Sequence, residues 1–240
     1  MVTKLKLLLQ KLHLLLALKA LIFGALLWFV KASGFSWLAL FLFVGVAVVI
    51  YARHLFQTLK FGYAFLLLLG TALLFVYRLP SAYLWLGCVY FGLAWLLLLG
   101  VKDVEFVHRD QAYALFNCGI LYAVLLLFFT SNPATLFVPR LIGLGLVVSF
   151  LFGQILKFRR PVTNVTLAFV FIQLVWGISL LPIGFMQAAN AGFIIAVAMI
   201  DFTLLHFKNL LTRNLVIKKL ALYGALVLLI FLTSKWTLTP

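Results

Sequence analysis

The chain reads AYLWLGCVYFGLAWLLLLG at residues 82–100, VKDVEFVHRD at 101–110 and QAYALFNCGILYAVLLLFFT at 111–130. Two apolar runs therefore enclose a short polar segment. A helix of about 20 apolar residues, rising about 1.5 Å per residue, crosses the roughly 30 Å hydrocarbon core of a bilayer. Each apolar run has this length, so the pattern predicts two membrane-spanning helices joined by a polar connector.

The composition extends this prediction to the whole chain. Hydrophobic residues make up 67% and charged residues 10% of the 240 positions, against roughly half and a quarter in a soluble domain. A soluble fold of this size could not cover so much apolar surface. We therefore expect an all-α polytopic integral membrane helix bundle, formed by residues 1–240 as a single transmembrane domain without a soluble domain.

The net charge of +15 does not indicate a nucleic-acid partner, because the basic residues are spread in small groups between apolar runs. Membrane orientation explains that distribution. Cys88 and Cys118 each lie within an apolar run, which indicates neither a disulfide framework nor a cysteine-based zinc site. No spacing matches a dedicated metal motif, and no cofactor is specified by the sequence.

About nine spans are predicted, with boundaries that agree with the positions of the prolines. Pro80, Pro133, Pro139, Pro161 and Pro182 fall at or beside the proposed ends, where a missing backbone N–H does least harm. An eight-span alternative would move one terminus to the other side and weaken the charge bias described next. The nine predicted spans are at about 13–30, 36–52, 61–77, 82–100, 111–130, 138–156, 162–182, 187–207 and 215–234.

Lysine and arginine are biased toward one set of connectors. Because cytoplasmic connectors carry the excess of these residues, the bias predicts a cytoplasmic N-terminus and an outside C-terminus. Lys19 lies inside the first span, where its long side chain is expected to reach the inner headgroups. The inner connectors hold fourteen basic residues, Lys4, Lys6, Lys11, Arg53, Lys60, Lys102, Arg109, Lys157, Arg159, Arg160, Lys208, Arg213, Lys218 and Lys219, and the outer ones four, Lys31, Arg78, Arg140 and Lys235.

The polar segment after residue 100 holds three of the four acidic residues of the chain, Asp103, Glu105 and Asp110, together with His108. One hypothesis is a catalytic or metal-binding site at the cytoplasmic surface, in which these carboxylates and the imidazole act as acid and base on a lipid headgroup. The alternative is a solvated connector in which Glu105 pairs with Arg109 and Asp110 caps the fifth span. The second interpretation is favoured.

The fourth acid, Asp201, lies inside the eighth predicted span. An ionised carboxylate in hydrocarbon costs at least about 2.5 kcal/mol, so it is a candidate functional residue. Asn190 and Lys208 share its helical face, which suggests a polar stripe that could relay protons or ions or bind a ligand. The alternative is an anchor, in which Asp201 reaches Lys208, Lys218, Lys219 or the inner headgroups.

Small residues recur at four-residue spacing in the eighth span, a pattern that permits close helix packing. This series consists of Ala188, Gly192 and Ala196, and Gly24, Gly143 and Gly145 are interpreted in the same way.

Three functional classes follow from these features. The favoured one is a protein that acts by binding, either as a subunit or scaffold of a membrane assembly or as a carrier for an apolar or lipid ligand. The alternatives are a transporter or channel that uses Asp201, and a lipid-modifying enzyme at the cytoplasmic leaflet. The expected partners are membrane lipids, including anionic headgroups, and a membrane protein or second copy of the chain. The predicted location is the plasma or inner membrane.

Overall fold

The computed structural model describes residues 2–52, 55–103, 108–130, 137–156 and 161–234, and all regular secondary structure in these ranges is helical. A short 3-10 turn, Ser81–Tyr83, precedes the fourth α-helix. The helices are α1 Val2–Ala32, α2 Trp37–Ala52, α3 Leu55–Arg78, α4 Leu84–Lys102, α5 Arg109–Thr130, α6 Phe137–Ile155, α7 Pro161–Ser179, α8 Phe185–Phe207 and α9 Arg213–Thr233.

Eight of these helices are long and apolar enough to cross a membrane. The exception is α2, whose 16 residues span about 24 Å. The predicted all-helical fold is confirmed for the described residues, and helices of this length and apolarity are those of a multi-pass membrane protein. By the density of their contacts, residues fall into two units, Met1–Ile120 and Leu121–Pro240, with the boundary inside α5.

In the first unit, helices α1 to α4 run alternately in opposite directions. Near the end of α1, the Lys31 ammonium donates to the carbonyl of Tyr77, near the end of α3, over 2.8 Å. The opposite end is closed by Lys102, at the end of α4, which donates to the carbonyl of Tyr51, near the end of α2. The carboxyl ends of α1 and α3 therefore lie on one side, and those of α2 and α4 lie on the other.

Helices α1 and α4 approach each other through glycine. A Cβ atom added at Gly24 would lie 3.1 Å from the carbonyl oxygen of Cys88, and one added at Gly92 would lie 3.2 Å from that of Ala20. The residue numbers rise along one helix as they fall along the other, as antiparallel packing requires. The predicted packing role of Gly24 is confirmed.

An aromatic cluster fills the centre of the first unit, and α1, α2, α3 and α4 all contribute to it. The Trp95 ring stacks on Phe23 with centroids 4.7 Å apart, and Tyr51 stacks on Phe65 at 4.2 Å. Phe43 packs against Phe23 at 5.2 Å. Trp95, Phe23 and Phe43 are at most 1% exposed, so apolar burial of large rings holds these four helices together.

In the second unit, α6 packs on α7, α7 on α8 and α8 on α9. The predicted small-residue series of α8 is buried, at Ala188, Gly192 and Ala196, which confirms its packing role. Gly145 also packs closely, because a Cβ there would meet the end of the Ile172 side chain, whereas nothing described lies within 4 Å of Gly143. The expectation for Gly143 is therefore not supported.

The side chains of the last helix are the least covered by neighbouring helices. No residue of α9, Arg213–Thr233, is buried. The turn before it is fixed by Asn209, whose φ of 54° lies in the left-handed region that asparagine tolerates. The Leu210 N–H donates to the Leu205 carbonyl over 3.0 Å, which ends α8 and brings α9 back along it.

Candidate functional site

The polar segment after residue 100 does not continue as one helix through its described residues. Asp103 follows the end of α4 in a turn, where its carboxylate lies 3.5 Å from the Lys19 ammonium and 4.0 Å from the Lys102 ammonium. The side chains of Lys19 and Asp103 are only 13% and 12% exposed. The structure thus gives Lys19, for which headgroups were the expected partners, a carboxylate distant in sequence.

Lys102 is the most enclosed cation of the described chain, at 1% exposure. Its ammonium donates to the Tyr51 carbonyl in the last turn of α2 and lies 4.5 Å from the centroid of the Tyr51 ring. The carboxyl end of a helix carries partial negative charge, and an aromatic face attracts cations. Lys102, Asp103, Lys19 and Tyr51, here named the buried ion cluster, thus join α1, α2 and α4.

The other described residues of the polar segment lie at the start of α5. His108 and Asp110 are exposed, at the start of α5. The Arg109 guanidinium donates to the Val101 carbonyl over 3.0 and 2.7 Å. Glu105 lies outside the described residues, so its expected pairing with Arg109 stays a prediction. No group of three His, Cys, Asp or Glu side chains suited to a metal lies among the described residues.

The side chain of Asp201, on α8, forms polar contacts with α9. Its carboxylate forms an ion pair with the Lys219 ammonium and accepts a hydrogen bond from the Tyr223 hydroxyl over 2.9 Å. Asp201 and Lys219 are 27% and 29% exposed. Of the lysines expected to anchor Asp201, the structure selects Lys219, because it lies on the face of α9 that packs on α8.

The three residues of the predicted polar stripe are not brought together. Asn190 accepts a hydrogen bond from the Tyr122 hydroxyl over 2.8 Å, and Lys208 is exposed at the end of α8. Asn190 and Asp201, eleven residues apart, are separated by about 16 Å along the helix. Their intervening neighbours on this face, Ile194 and Ala198, are apolar, so these described residues form no continuous hydrogen-bonded path.

An open groove runs between α8 and α9 beside Asp201. It has a volume of about 840 Å³ and an almost entirely apolar lining, within the usual range of about 300–1,000 Å³ for ligand pockets. Tyr223 belongs both to this lining and to the Asp201 contact. This α8–α9 groove is lined principally by Ile195, Met199 and Phe202 of α8 and Tyr223, Gly224 and Val227 of α9.

A second cavity, of about 440 Å³, lies nearer the α8–α9 turn. Phe202 lines both spaces, so the second cavity adjoins the first along α8. Its lining includes the polar residues Thr163, Thr203 and His206. We name it the polar cavity after these three side chains; its other lining residues, Phe202, Phe207, Leu211 and Val216, are apolar.

Asp201→Asn is expected to loosen α9, since it leaves the Lys219 charge without its ion partner and α9 has no buried residue to hold it. We expect a loss of about 1–3 kcal/mol, below the 3–5 kcal/mol typical of fully buried pairs because both groups are partly exposed. Limited proteolysis at the α8–α9 turn and thermal unfolding in detergent would measure it.

Lys208→Gln removes an exposed charge without a described partner and is the control. The double variant Asp201→Asn with Lys219→Gln should recover part of the loss; strictly additive losses would contradict the ion pair. Asp201→Asn also tests a relay in proteoliposomes, since unchanged proton flux would eliminate that alternative.

The groove and Tyr223 were not anticipated from sequence. Tyr223 follows Lys219 by four residues, which places both on one face of α9, but its position near a span end also fits an aromatic belt. Gly224 and Ala198 leave room for the groove without a distinctive pattern. Comparison with family models, with curated proteins and with solved structures found no match to this chain.

Proposed function

We propose that the protein acts by binding the apolar chain of a membrane lipid in the α8–α9 groove. The observation that carries this proposal is the groove of about 840 Å³ with its apolar lining. Because the acyl chain is already in an apolar environment in the bilayer, its binding in the groove depends on van der Waals packing against this lining. The groove is open, and the α9 side chains that flank it are exposed, so a lipid can enter sideways from the bilayer.

The membrane arrangement that supports this function has nine crossings, with the N-terminus cytoplasmic and the C-terminus outside, in a plasma or inner membrane. The contacts of α2 support its inclusion among the crossings. It begins beyond the end of α1 and ends where Tyr51 meets Lys102, in the cluster that also holds Lys19. The 16 residues of α2, about 24 Å long, therefore run alongside the part of α1 between Lys19 and Ala32, which is about 20 Å long.

The orientation rests on the charge bias, fourteen basic residues against four. With the N-terminus inside, the end of α8 and the start of α9 face the cytoplasm, so Lys208, Arg213, Lys218 and Lys219 lie at the inner leaflet. The polar cavity would then adjoin the inner headgroups, and the apolar groove would extend toward the middle of the bilayer.

Gly224→Trp is expected to fill the groove and reduce lipid binding there. A Cβ at Gly224 meets nothing within 4 Å, so the larger side chain can enter the groove without displacing backbone. A phosphatidylcholine with a photoreactive acyl chain, incorporated into proteoliposomes, should label α8 and α9 peptides in the unmodified protein. Labelling of these peptides should fall about fivefold in the variant, because the apolar volume is occupied.

The matched control is Leu229→Trp, an exposed position of α9 outside the groove lining, which should leave labelling unchanged. Equal labelling of all exposed helices, insensitive to Gly224→Trp, would refute the proposal. Protection of the groove in the unmodified protein, together with a crosslinked second chain, would instead favour a subunit or scaffold.

A further inference from the structure

We propose that the lipid bound in the α8–α9 groove carries an anionic phosphate headgroup, held at the polar cavity by the cations of the α8–α9 turn and of the first turns of α9. This inference rests on the proposed lipid binding and adds the class of headgroup. The headgroup at the polar cavity is a phosphodiester with net negative charge, such as that of phosphatidylglycerol.

The first support is that the two spaces are adjacent. Phe202 lines both the groove and the polar cavity, so a molecule with its chain against α9 would have its other end beside Thr163 and His206. The Thr203 hydroxyl donates to the Met199 carbonyl over 2.7 Å, whereas Thr163 makes no polar side-chain contact within the described residues. Thr163 and the exposed His206 thus offer hydrogen-bond donors to headgroup oxygens.

The second support is the charge around this end. From Phe202 to Pro240 the sequence contains no aspartate or glutamate, while Lys208, Arg213, Lys218 and Lys219 are concentrated in twelve residues. Asp201 offsets only one of these charges. Lys208, Arg213 and Lys218 are exposed, and no described side chain neutralises them. Charge complementarity therefore favours an anion over a zwitterion or an apolar partner helix.

The third support is the geometry of Lys219. Its ammonium has three donor hydrogens, and within the described chain its only polar contact is with Asp201. Tyr223, which bonds the same carboxylate oxygen, lines the groove. Lys219 is thus held through Asp201 next to a groove-lining residue, with donors remaining for a phosphate oxygen, and such a charge-assisted hydrogen bond is stronger than a neutral one.

The test compares spin-labelled phosphatidylglycerol with spin-labelled phosphatidylcholine on the full chain in proteoliposomes. We expect the unmodified protein to prefer phosphatidylglycerol by about fivefold at low salt, as close basic residues attract anionic lipid. The triple variant Lys208→Gln, Arg213→Gln, Lys218→Gln should bring the ratio near one while leaving phosphatidylcholine binding unchanged. Raising ionic strength from about 0.1 M to about 1 M should have the same effect, because the Debye length falls from roughly 10 to 3 Å.

The control is Lys4→Gln, Lys6→Gln, Lys11→Gln, which removes the same charge from the same predicted side of the membrane away from the groove and should keep the preference. Equal binding of both lipids by the unmodified protein, or an unchanged preference in the turn variant, would overturn the inference and leave the proposed lipid binding intact. Loss of preference in the control to the same extent would also overturn it. If Gly224→Trp changes the binding of neither lipid, the proposed function itself fails.

Discussion

Asp103→Asn is expected to lower the free energy of unfolding by about 3 kcal/mol, because it removes the only described carboxylate from a cluster of two enclosed cations. Removing one partner of a buried ion pair typically costs about 3–5 kcal/mol, since the remaining charge stays desolvated and uncompensated. Lys102 is 1% exposed and Lys19 is 13% exposed, so neither can recover its hydration without moving α1 or α4. A thiol-reactive dye in detergent would report unfolding as buried Cys88 becomes accessible.

A second variant distinguishes the loss of the ion cluster from a general effect of substitution at this turn. Lys19→Met combined with Asp103→Asn removes one cation with the carboxylate and leaves Lys102 its contacts with Tyr51. We expect this double variant to lose about half as much stability as Asp103→Asn alone, because residues in one charge network are not additive. A double variant less stable than Asp103→Asn would contradict the cluster.

The same variant bears on an enzymatic role for the polar segment. If Asp103 serves only to hold α1 and α4 together, a lipid-turnover assay at a temperature where the variant remains folded should not respond to Asp103→Asn. A selective loss of turnover without loss of stability would favour the enzyme alternative over the structural role.

Gly24→Leu is expected to destabilise the first unit by up to about 3 kcal/mol, the upper range for overpacking a closely packed contact. The added Cβ would lie 3.1 Å from the backbone oxygen of Cys88, and a side-chain rotation cannot relieve a contact with backbone. Helices α1 and α4 would have to separate, which would also weaken the stacking of Phe23 on Trp95. Thermal unfolding in detergent would measure the loss.

Gly45→Leu in α2 is the matched control. A Cβ at Gly45 meets nothing within 4 Å, and the gain in helix propensity on replacing glycine is the same at both positions. Gly45→Leu should therefore be neutral or slightly stabilising. Similar destabilisation by the two substitutions would mean that the close approach at Gly24 does not limit stability.

Helix positions were predicted well because they depend on local composition. The predicted spans at 82–100 and 111–130 correspond to α4, Leu84–Lys102, and α5, Arg109–Thr130. The first span, predicted at about 13–30, agrees with the apolar part of α1, Leu14–Ala32, and the helix itself begins earlier, at Val2. The early lysines had been assigned to a connector, but lysine is a good helix former and does not end a helix.

The partners of the charged residues were predicted less well. Asp103 was assigned to a surface connector, and its contact with Lys19, 84 positions earlier, gave no periodic signal. The partner of Asp201 was predicted in part, because an ion pair with Lys219 was among the alternatives. Helical phase on α8 alone, however, pointed equally to Asn190 and Lys208. Helical phase gives the direction of a side chain around its own helix, whereas a contact depends on how two helices are rotated relative to each other.

The sequence by itself determined that this chain is helical and apolar enough to cross a membrane, because each apolar run must satisfy its own backbone hydrogen bonds in lipid. Tertiary structure alone decided which charges meet: Lys19 and Lys102 with Asp103, and Lys219 and Tyr223 with Asp201. It also decided where α8 and α9 leave a groove. The physical reason is that span formation is a local property of about 20 residues, while ion pairs and cavities depend on how helices rotate and pack against each other.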